Sequence, residues 1–81
     1  METRVAVIAI IVQNSEATEQ INRLLHMHSA AIIGRMGVPY RQKGVSIISI
    51  AIDAPQDEIN TLAGSIGKLS GVSVKTVYSA V

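Results

Sequence analysis

The chain has 81 residues, of which 48% are hydrophobic, and it contains no cysteine, phenylalanine or tryptophan. This length suits one domain, predicted over residues 1–81, and the lack of cysteine excludes disulfides, thiol catalysis and thiolate metal ligands. A net charge of +1 gives no strong overall field for nucleic acid or anionic membranes. So much aliphatic surface on so small a chain favours burial by self-association.

The first element is predicted as a strand from Arg4 to Val12, where β-branched residues and alanines follow one another almost without a break. Both faces of this strand are apolar, which is typical of burial on both sides. The run is too short to span a bilayer, so we expect no membrane association, and with the absence of cysteine it fits a cytoplasmic protein. Gln13, Asn14 and Ser15 end the strand, and Ser15 or Asn14 is expected to cap a helix.

A first amphipathic helix is predicted from Glu16, because the apolar spacing changes there to the helical period. Acidic residues come early and basic residues late, as the helix dipole favours, and Ser29 is expected to end the helix. Its apolar face consists of Ala17, Ile21, Leu24, Leu25 and His28.

Two further strands are predicted at the centre of the chain. The second runs from Ala30 to Val38, and Gly34 and Gly37 inside it suggest a bulge or a close backbone approach. Pro39 cannot donate to a central ladder, so the strand ends or lies at a sheet edge there. The third strand runs from Gly44 to Ile52 and is again apolar on both faces.

A second helix is predicted to start at Asp53-Ala54-Pro55, with Asp53 as the cap and Pro55 in the first turn. Gly64 and Gly67 inside it each cost about 1 kcal/mol relative to alanine, which implies close packing against the sheet or a neighbouring chain. The buried stripe comprises Ile59, Leu62, Ala63, Ile66 and Leu69.

Ser70 and Gly71 are predicted to end the second helix, and Val72 to Tyr78 forms the last strand. This strand alternates, with one polar face, and therefore reads as an edge strand.

The predicted order is βαββαβ, the α+β ferredoxin-like arrangement, with a four-stranded antiparallel sheet and both helices on one face. The helices can cover only one face, whereas the first and third strands are apolar on both. A second copy of the same sheet is the simplest cover. We therefore predict a homo-oligomer, a dimer or tetramer, joined through the helix-free sheet face.

His26 and His28 are the two histidines of the chain. At i and i+2 of a helix they lie on roughly opposite sides and cannot clasp one metal ion together. Packing or a helix-end role is the simpler interpretation for both. The alternative is a metal contact shared with a second chain, and the residues imply no particular cofactor.

No catalytic motif is present, and most carboxylates sit at helix starts, where capping explains them, so we predict that the chain is not an enzyme. The charges are segregated: between Glu19 and Asp53 every charged residue is basic. A solvated loop edge is the simpler interpretation of this basic segment, and a surface facing an anion or a protein partner is the alternative. Its GRMG sequence matches the GxxG loop of KH domains only superficially, because that loop joins two helices.

Several segments are distinctive in their glycine and proline placement: GRMGVPYR at 34–41, SIISI at 46–50, DEI through LAG at 57–64, GKL at 67–69, GVSVKT at 71–76, and LLH at 24–26. Together they resemble a small bacterial family, the iron-only hydrogenase system regulators. The resemblance covers nearly the whole chain. It implies an ACT-like fold similar to the regulatory domain of the nickel-responsive repressor, assembly as dimers or tetramers, and a link to hydrogenase expression or assembly.

Two departures from the nickel-responsive repressor bear on function. This sequence has no cysteine for such a nickel site, and it does not contain a ribbon-helix-helix DNA-binding domain. ACT-like domains bind small ligands near the first strand-to-helix loop, which here is the polar loop of Gln13, Asn14 and Ser15.

The sequence therefore predicts a non-enzymatic, oligomeric regulatory module that senses a small molecule or binds a protein partner. One alternative is a metal sensor using His26 or His28 across an interface. Another is a nucleic-acid-binding module using the basic 35–43 loop, although nucleic acid is not expected to bind this chain alone. The candidate ligand contacts are Gln13, Asn14, Ser15, Arg35, Tyr40, Arg41 and Lys43.

Overall fold

The computed structural model describes residues 2–80; residues 1 and 81, which the predicted domain includes, lie outside this range. The four strands pair antiparallel in the order β2-β3-β1-β4, and the two helices pack on one face of the sheet. The predicted ferredoxin-like α+β fold is confirmed. The elements are β1 (Arg4–Val12), α1 (Ala17–Met27), a 3₁₀ turn (Ser29–Ala31), β2 (Ile32–Tyr40), a 3₁₀ turn (Arg41–Lys43), β3 (Val45–Ala54), α2 (Gln56–Gly67) and β4 (Val72–Tyr78).

The core lies between the sheet and the helices. Side chains along β1 alternate, so that Ile8 and Ile10 are fully buried while Ile11 on the other face is 37% exposed. Fully burying one such side chain contributes about 1.5–3 kcal/mol. The buried apolar residues are Ala6, Ile8, Ile10, Val12, Ala17, Ile21, Leu25, Ile48, Ile50, Ile52, Ala54, Ile59, Leu62 and Ile66.

The ends of α1 differ from the prediction. Glu16, directly before α1, has helical backbone angles and no side-chain cap. Of the two predicted caps, Asn14 supplies the side-chain bond: its Oδ1 accepts a hydrogen bond from the Glu16 amide at 3.1 Å, in the turn that leads into the helix. At the other end α1 stops before Ser29, and the residues up to Ala31 form a 3₁₀ turn rather than the start of a strand.

Strand β2 lies at an edge of the sheet and continues through Pro39, which pairs with Ser46. An outer edge strand tolerates proline because half of its amides need no partner within the sheet. The register shifts between Ile32 and Gly34, which confirms the predicted bulge. At Gly37 the predicted close approach is absent, since a Cβ there would meet nothing within 4 Å among the described residues.

Strand β3 is longer than predicted. Asp53 belongs to it, opposite Val5 of β1, and Pro55 takes the N-cap position of α2. The prediction that Asp53 caps α2 is therefore wrong. The ladder continues through Asp53 because β1 still offers a partner strand at that point.

Helix α2 ends at Gly67, earlier than predicted, and Gly71 turns the chain into β4 with a φ of 74°. The predicted close packing of the helix glycines against the sheet is wrong. Among residues 2–80, a Cβ at Gly64 would meet nothing within 4 Å, and one at Gly67 would make an ordinary 3.9 Å contact with Val74. Packing of these glycines against a neighbouring chain stays a prediction. In residues 2–80 neither helix has the length and hydrophobicity needed to cross a membrane.

Candidate functional site

The sheet face away from the helices is apolar, and we call it the helix-free face. The register turns one set of residues from each strand toward it, including Val7 of β1, Ile47 of β3 and Val77 of β4. Eight of the ten large hydrophobic residues exposed in the described chain lie here. They are Val5, Val7, Ile11, Met36, Val38, Tyr40, Ile47 and Val77, between 37% and 67% exposed.

The strands bring one acidic and one basic residue to the helix-free face within the described chain. Asp53 on β3 lies opposite Val5, and Lys75 on β4 lies opposite Ala9. Because β3 and β4 flank β1 on opposite sides, Val7 lies midway between the two charges. The two charges are thus placed symmetrically about Val7.

A groove on the other side of the sheet separates α1 from β2, and we call it the α1–β2 groove. Beyond the bulge, the residues of β2 that face the helices are Arg35, Gly37 and Pro39, and all three are exposed because α1 does not reach over this edge strand. One part of the groove is a cavity of about 240 Å³ lined by Asn22, Leu25, His26, Ser29, Ile32 and Arg35. A neighbouring part of about 170 Å³ continues past Arg35 toward Pro39 and Ser46.

Arg35 crosses the groove. Its Nη2 donates a hydrogen bond to Oδ1 of Asn22 at 2.9 Å, which ties β2 to α1. No carboxylate lies within ion-pair distance of Arg35 in the part of the chain that the structure describes. Since the amide of Asn22 is neutral, the positive charge of the guanidinium is not compensated there.

The two histidines lie in separate surroundings. His26 lines the α1–β2 groove, while Nδ1 of His28 lies 2.9 Å from Oε2 of Glu58 on α2. Within residues 2–80 no group of three histidine or acidic side chains is placed to hold a metal ion. A metal contact shared between two chains stays a prediction.

The polar loop after β1 packs against the turn before β4. The Gln13 amide donates to the Gly71 carbonyl at 2.7 Å, and Nδ2 of Asn14 donates to the Ser70 carbonyl at 3.4 Å. Ser15 accepts a hydrogen bond from the Thr18 amide through its backbone carbonyl. These contacts explain the loop structurally, and its predicted role in ligand binding stays a prediction.

The basic segment does not form one surface. Arg35 points into the α1–β2 groove, and Tyr40 lies on the helix-free face. Arg41 and Lys43 are exposed in the 3₁₀ turn between β2 and β3. A continuous nucleic-acid-binding stripe requires such residues on one side, so this arrangement gives the nucleic-acid alternative no geometric support.

Asn22, the residue that holds Arg35, is not among the site residues predicted from the sequence. A signal was present, because Thr18, Asn22 and His26 repeat every fourth residue and form a polar stripe beside the buried stripe of α1. The pattern marks a helix surface, but only the fold shows that an edge strand lies next to it.

A family model described as TM1266-like, "Iron-only hydrogenase system regulator, putative", matches residues 4–76. The chain belongs to this family. The solved structure of the uncharacterized protein TM1266 from Thermotoga maritima is 38% identical, and the match covers 95% of this chain and 98% of that one with a TM-score of 0.91. The resemblance found in the sequence to this TM1266-like family is confirmed.

Other solved structures share the fold of this chain at low sequence identity. The C-terminal domain of MgtC from Mycobacterium tuberculosis is 10% identical, with 94% of this chain and 87% of that one covered and a TM-score of 0.75. A formyltetrahydrofolate deformylase from Pseudomonas putida KT2440 is 14% identical, with 90% and 28% covered and a TM-score of 0.67. These likenesses concern the fold alone. No curated protein matches the chain.

Proposed function

We propose that the chain is a non-enzymatic regulatory module linked to the iron-only hydrogenase system, and that its working unit is a homodimer joined through the helix-free face. Membership of the TM1266-like family supports the regulatory role. The observation that carries the assembly is the cluster of eight partly exposed apolar side chains on one sheet face. Such contiguous apolar patches mark interaction surfaces, because monomeric proteins rarely leave them open to water.

A second copy is the partner that this face fits. Its small central residues, among them Ala9, Ser49 and Ala51, let two sheets approach closely. Each square ångström of apolar surface removed from water contributes about 25 cal/mol. An identical face supplies apolar side chains of matching extent, as a twofold interface requires.

The charges on the face also suit a twofold arrangement. An axis parallel to the sheet, passing over Val7 at right angles to the line from Asp53 to Lys75, brings Asp53 of each subunit toward Lys75 of the other. Each carboxylate then meets an ammonium group, whereas a face carrying only one sign of charge would repel its copy. This complementarity supports self-association over binding of an unrelated apolar partner.

The assembly is tested by native mass spectrometry and light scattering on the wild type and on Val7→Asp. We expect a dimer for the wild type and a monomer for the variant, because Val7 lies at the centre of the proposed interface. Met27→Asp is the matched control, since Met27 is 71% exposed on α1, away from the helix-free face. A monomeric wild type, or equal dissociation by both variants, counts against the homodimer.

The regulatory role is tested separately, in a host that carries an iron-only hydrogenase. Hydrogenase transcript and activity are compared with the wild-type chain, with the Val7→Asp variant and without the chain. We expect hydrogenase transcript and activity to change when the chain is absent. The strain with the Val7→Asp variant should give the same values as the strain without the chain. Unchanged transcript and activity in all three strains would contradict the regulatory role.

A further inference from the structure

We propose that the α1–β2 groove binds a small aliphatic carboxylate, with the carboxylate on Arg35 and the aliphatic part over Leu25 and Ile32. This site goes beyond the proposed function. The groove lies on the opposite side of the sheet from the helix-free face and is complete within one subunit. It therefore does not depend on the homodimer.

The charge of the groove selects an anion. Arg35 is held by a neutral amide, and no carboxylate among the described residues pairs with it. The chain also carries no acidic residue between Glu19 and Asp53, the stretch that supplies both walls of the groove from Asn22 onward. A ligand carboxylate would thus be the first counter-charge for this guanidinium.

The geometry of Arg35 favours a carboxylate. A guanidinium presents its five donors in a planar fork that matches the two oxygens of a carboxylate, and such bidentate pairs are among the strongest hydrogen bonds in proteins. Asn22 already orients the fork across the groove through Nη2 at 2.9 Å. The arginine is therefore held in place before a ligand arrives, which lowers the entropic cost of binding.

The floor and the rim of the larger cavity define the rest of the ligand. Leu25 is buried and Ile32 half-buried, so the floor is apolar, while His26 and Ser29 place polar groups at the rim. The cavity of about 240 Å³ is smaller than the pockets of roughly 300–1,000 Å³ that hold drug-sized molecules. A short branched aliphatic acid fits this combination of size, charge and apolar floor.

The test is a ¹H–¹⁵N correlation titration with three probes: 4-methylpentanoate, its neutral amide 4-methylpentanamide, and inorganic phosphate. We expect saturable shifts at Asn22, His26, Ser29 and Ile32 with the carboxylate, and much weaker ones with the other two. Equal affinity for the amide would overturn the role of the charge. Equal affinity for phosphate would overturn the claim that the groove recognises the aliphatic part of the ligand. The absence of saturation by 4-methylpentanoate would overturn the claim that the groove binds such a ligand.

Two variants that each lose one positive charge show where on the protein the ligand binds. Arg35→Gln should weaken 4-methylpentanoate binding about ten- to hundredfold, because it removes the charge-assisted bond between the guanidinium and the carboxylate. Arg41→Gln removes the same charge outside the groove and should leave the affinity unchanged. Equal loss in both would mean that the anion responds only to net charge, and that result overturns the proposal. The monomeric Val7→Asp variant should still bind, so the two proposals fail or succeed independently.

Discussion

The Nδ1 atom of His28 lies 2.9 Å from the Oε2 atom of Glu58, which joins the end of α1 to the first turn of α2. The two side chains are 21% and 35% exposed, so the contact is partly shielded from water. It connects the two helices through residues that are 30 positions apart in sequence. This contact adds to the packing of the two helices on the sheet.

We expect His28→Ala to lower the free energy of unfolding by about 1 kcal/mol, the usual size of one hydrogen bond that is partly exposed. Urea unfolding measures this change. His26→Ala is the control, because His26 is exposed on the same helix and has no such partner among residues 2–80. A double-mutant cycle with Glu58→Ala should show coupling. Strictly additive effects would mean that the contact contributes nothing.

Glycine-to-alanine substitutions at two positions should have opposite signs. At Gly71 the φ is 74° and an added Cβ would lie 2.8 Å from Cβ of Asn14, so Gly71→Ala should destabilise the protein by about 2 kcal/mol or more. At Gly64 the added Cβ meets no described residue within 4 Å, and Gly64→Ala should stabilise the protein by about 1 kcal/mol because α2 gains helix propensity. Thermal unfolding of the two variants gives the comparison.

If Gly64→Ala instead destabilised the protein, the glycine would be needed at a contact with another chain. The sequence prediction of close packing at this position would then hold between subunits. Repeating the measurement at a dilution at which light scattering shows a monomer separates this case, since a monomer has no such contact.

Two neighbouring isoleucines of β1 should respond differently to truncation. Ile10 is fully buried under the helices, so Ile10→Ala should cost about 2–5 kcal/mol of stability. Ile11 is 37% exposed on the helix-free face, and Ile11→Ala should change the unfolding free energy of the diluted chain little. It should instead raise the dissociation constant of the dimer, measured by analytical ultracentrifugation. An equal loss of stability in both variants would mean that Ile11 belongs to the core of the single subunit.

The pairing of Asp53 with the partner's Lys75 can be tested by reversing charges. Asp53→Lys and Lys75→Asp alone should each weaken the dimer, because each places like charges together at both ends of the interface. The double variant should recover most of the affinity. Failure of the double variant to recover would exclude the twofold axis over Val7, although not every form of dimer.

Local patterns predicted the strands and helices well where packing agrees with them. The bounds of β1 and β4 match the prediction, since β-branched runs there end at polar or glycine-containing turns. Asp53 was misassigned because its type favours a helix cap, while its position in the sheet is decided by the length of β1. The position of β2 in the sheet likewise decides the role of Pro39. The strand continues through this proline because amides at the outer edge need no hydrogen-bond acceptor within the sheet.

The candidate sites could be predicted only in part. The apolar helix-free face follows from two strands that are apolar on both sides, since two helices cover only one face. The α1–β2 groove does not follow from any local pattern. Its width depends on how far α1 sits from the edge strand, and the bond from Arg35 to Asn22 joins residues whose proximity arises only from that packing.

The bulge at Ile33 and the proline at position 39 limit how copies of this chain can aggregate through strand pairing. Both interrupt the outer edge of β2, and they leave only a short regular stretch with free amide and carbonyl groups. In a chain so rich in β-branched residues, a long regular edge strand would pair with strands of other copies. Repeated pairing of this kind produces fibrils. With that edge interrupted, growth by strand addition at β2 is disfavoured, so this edge does not compete with the proposed face-to-face pairing.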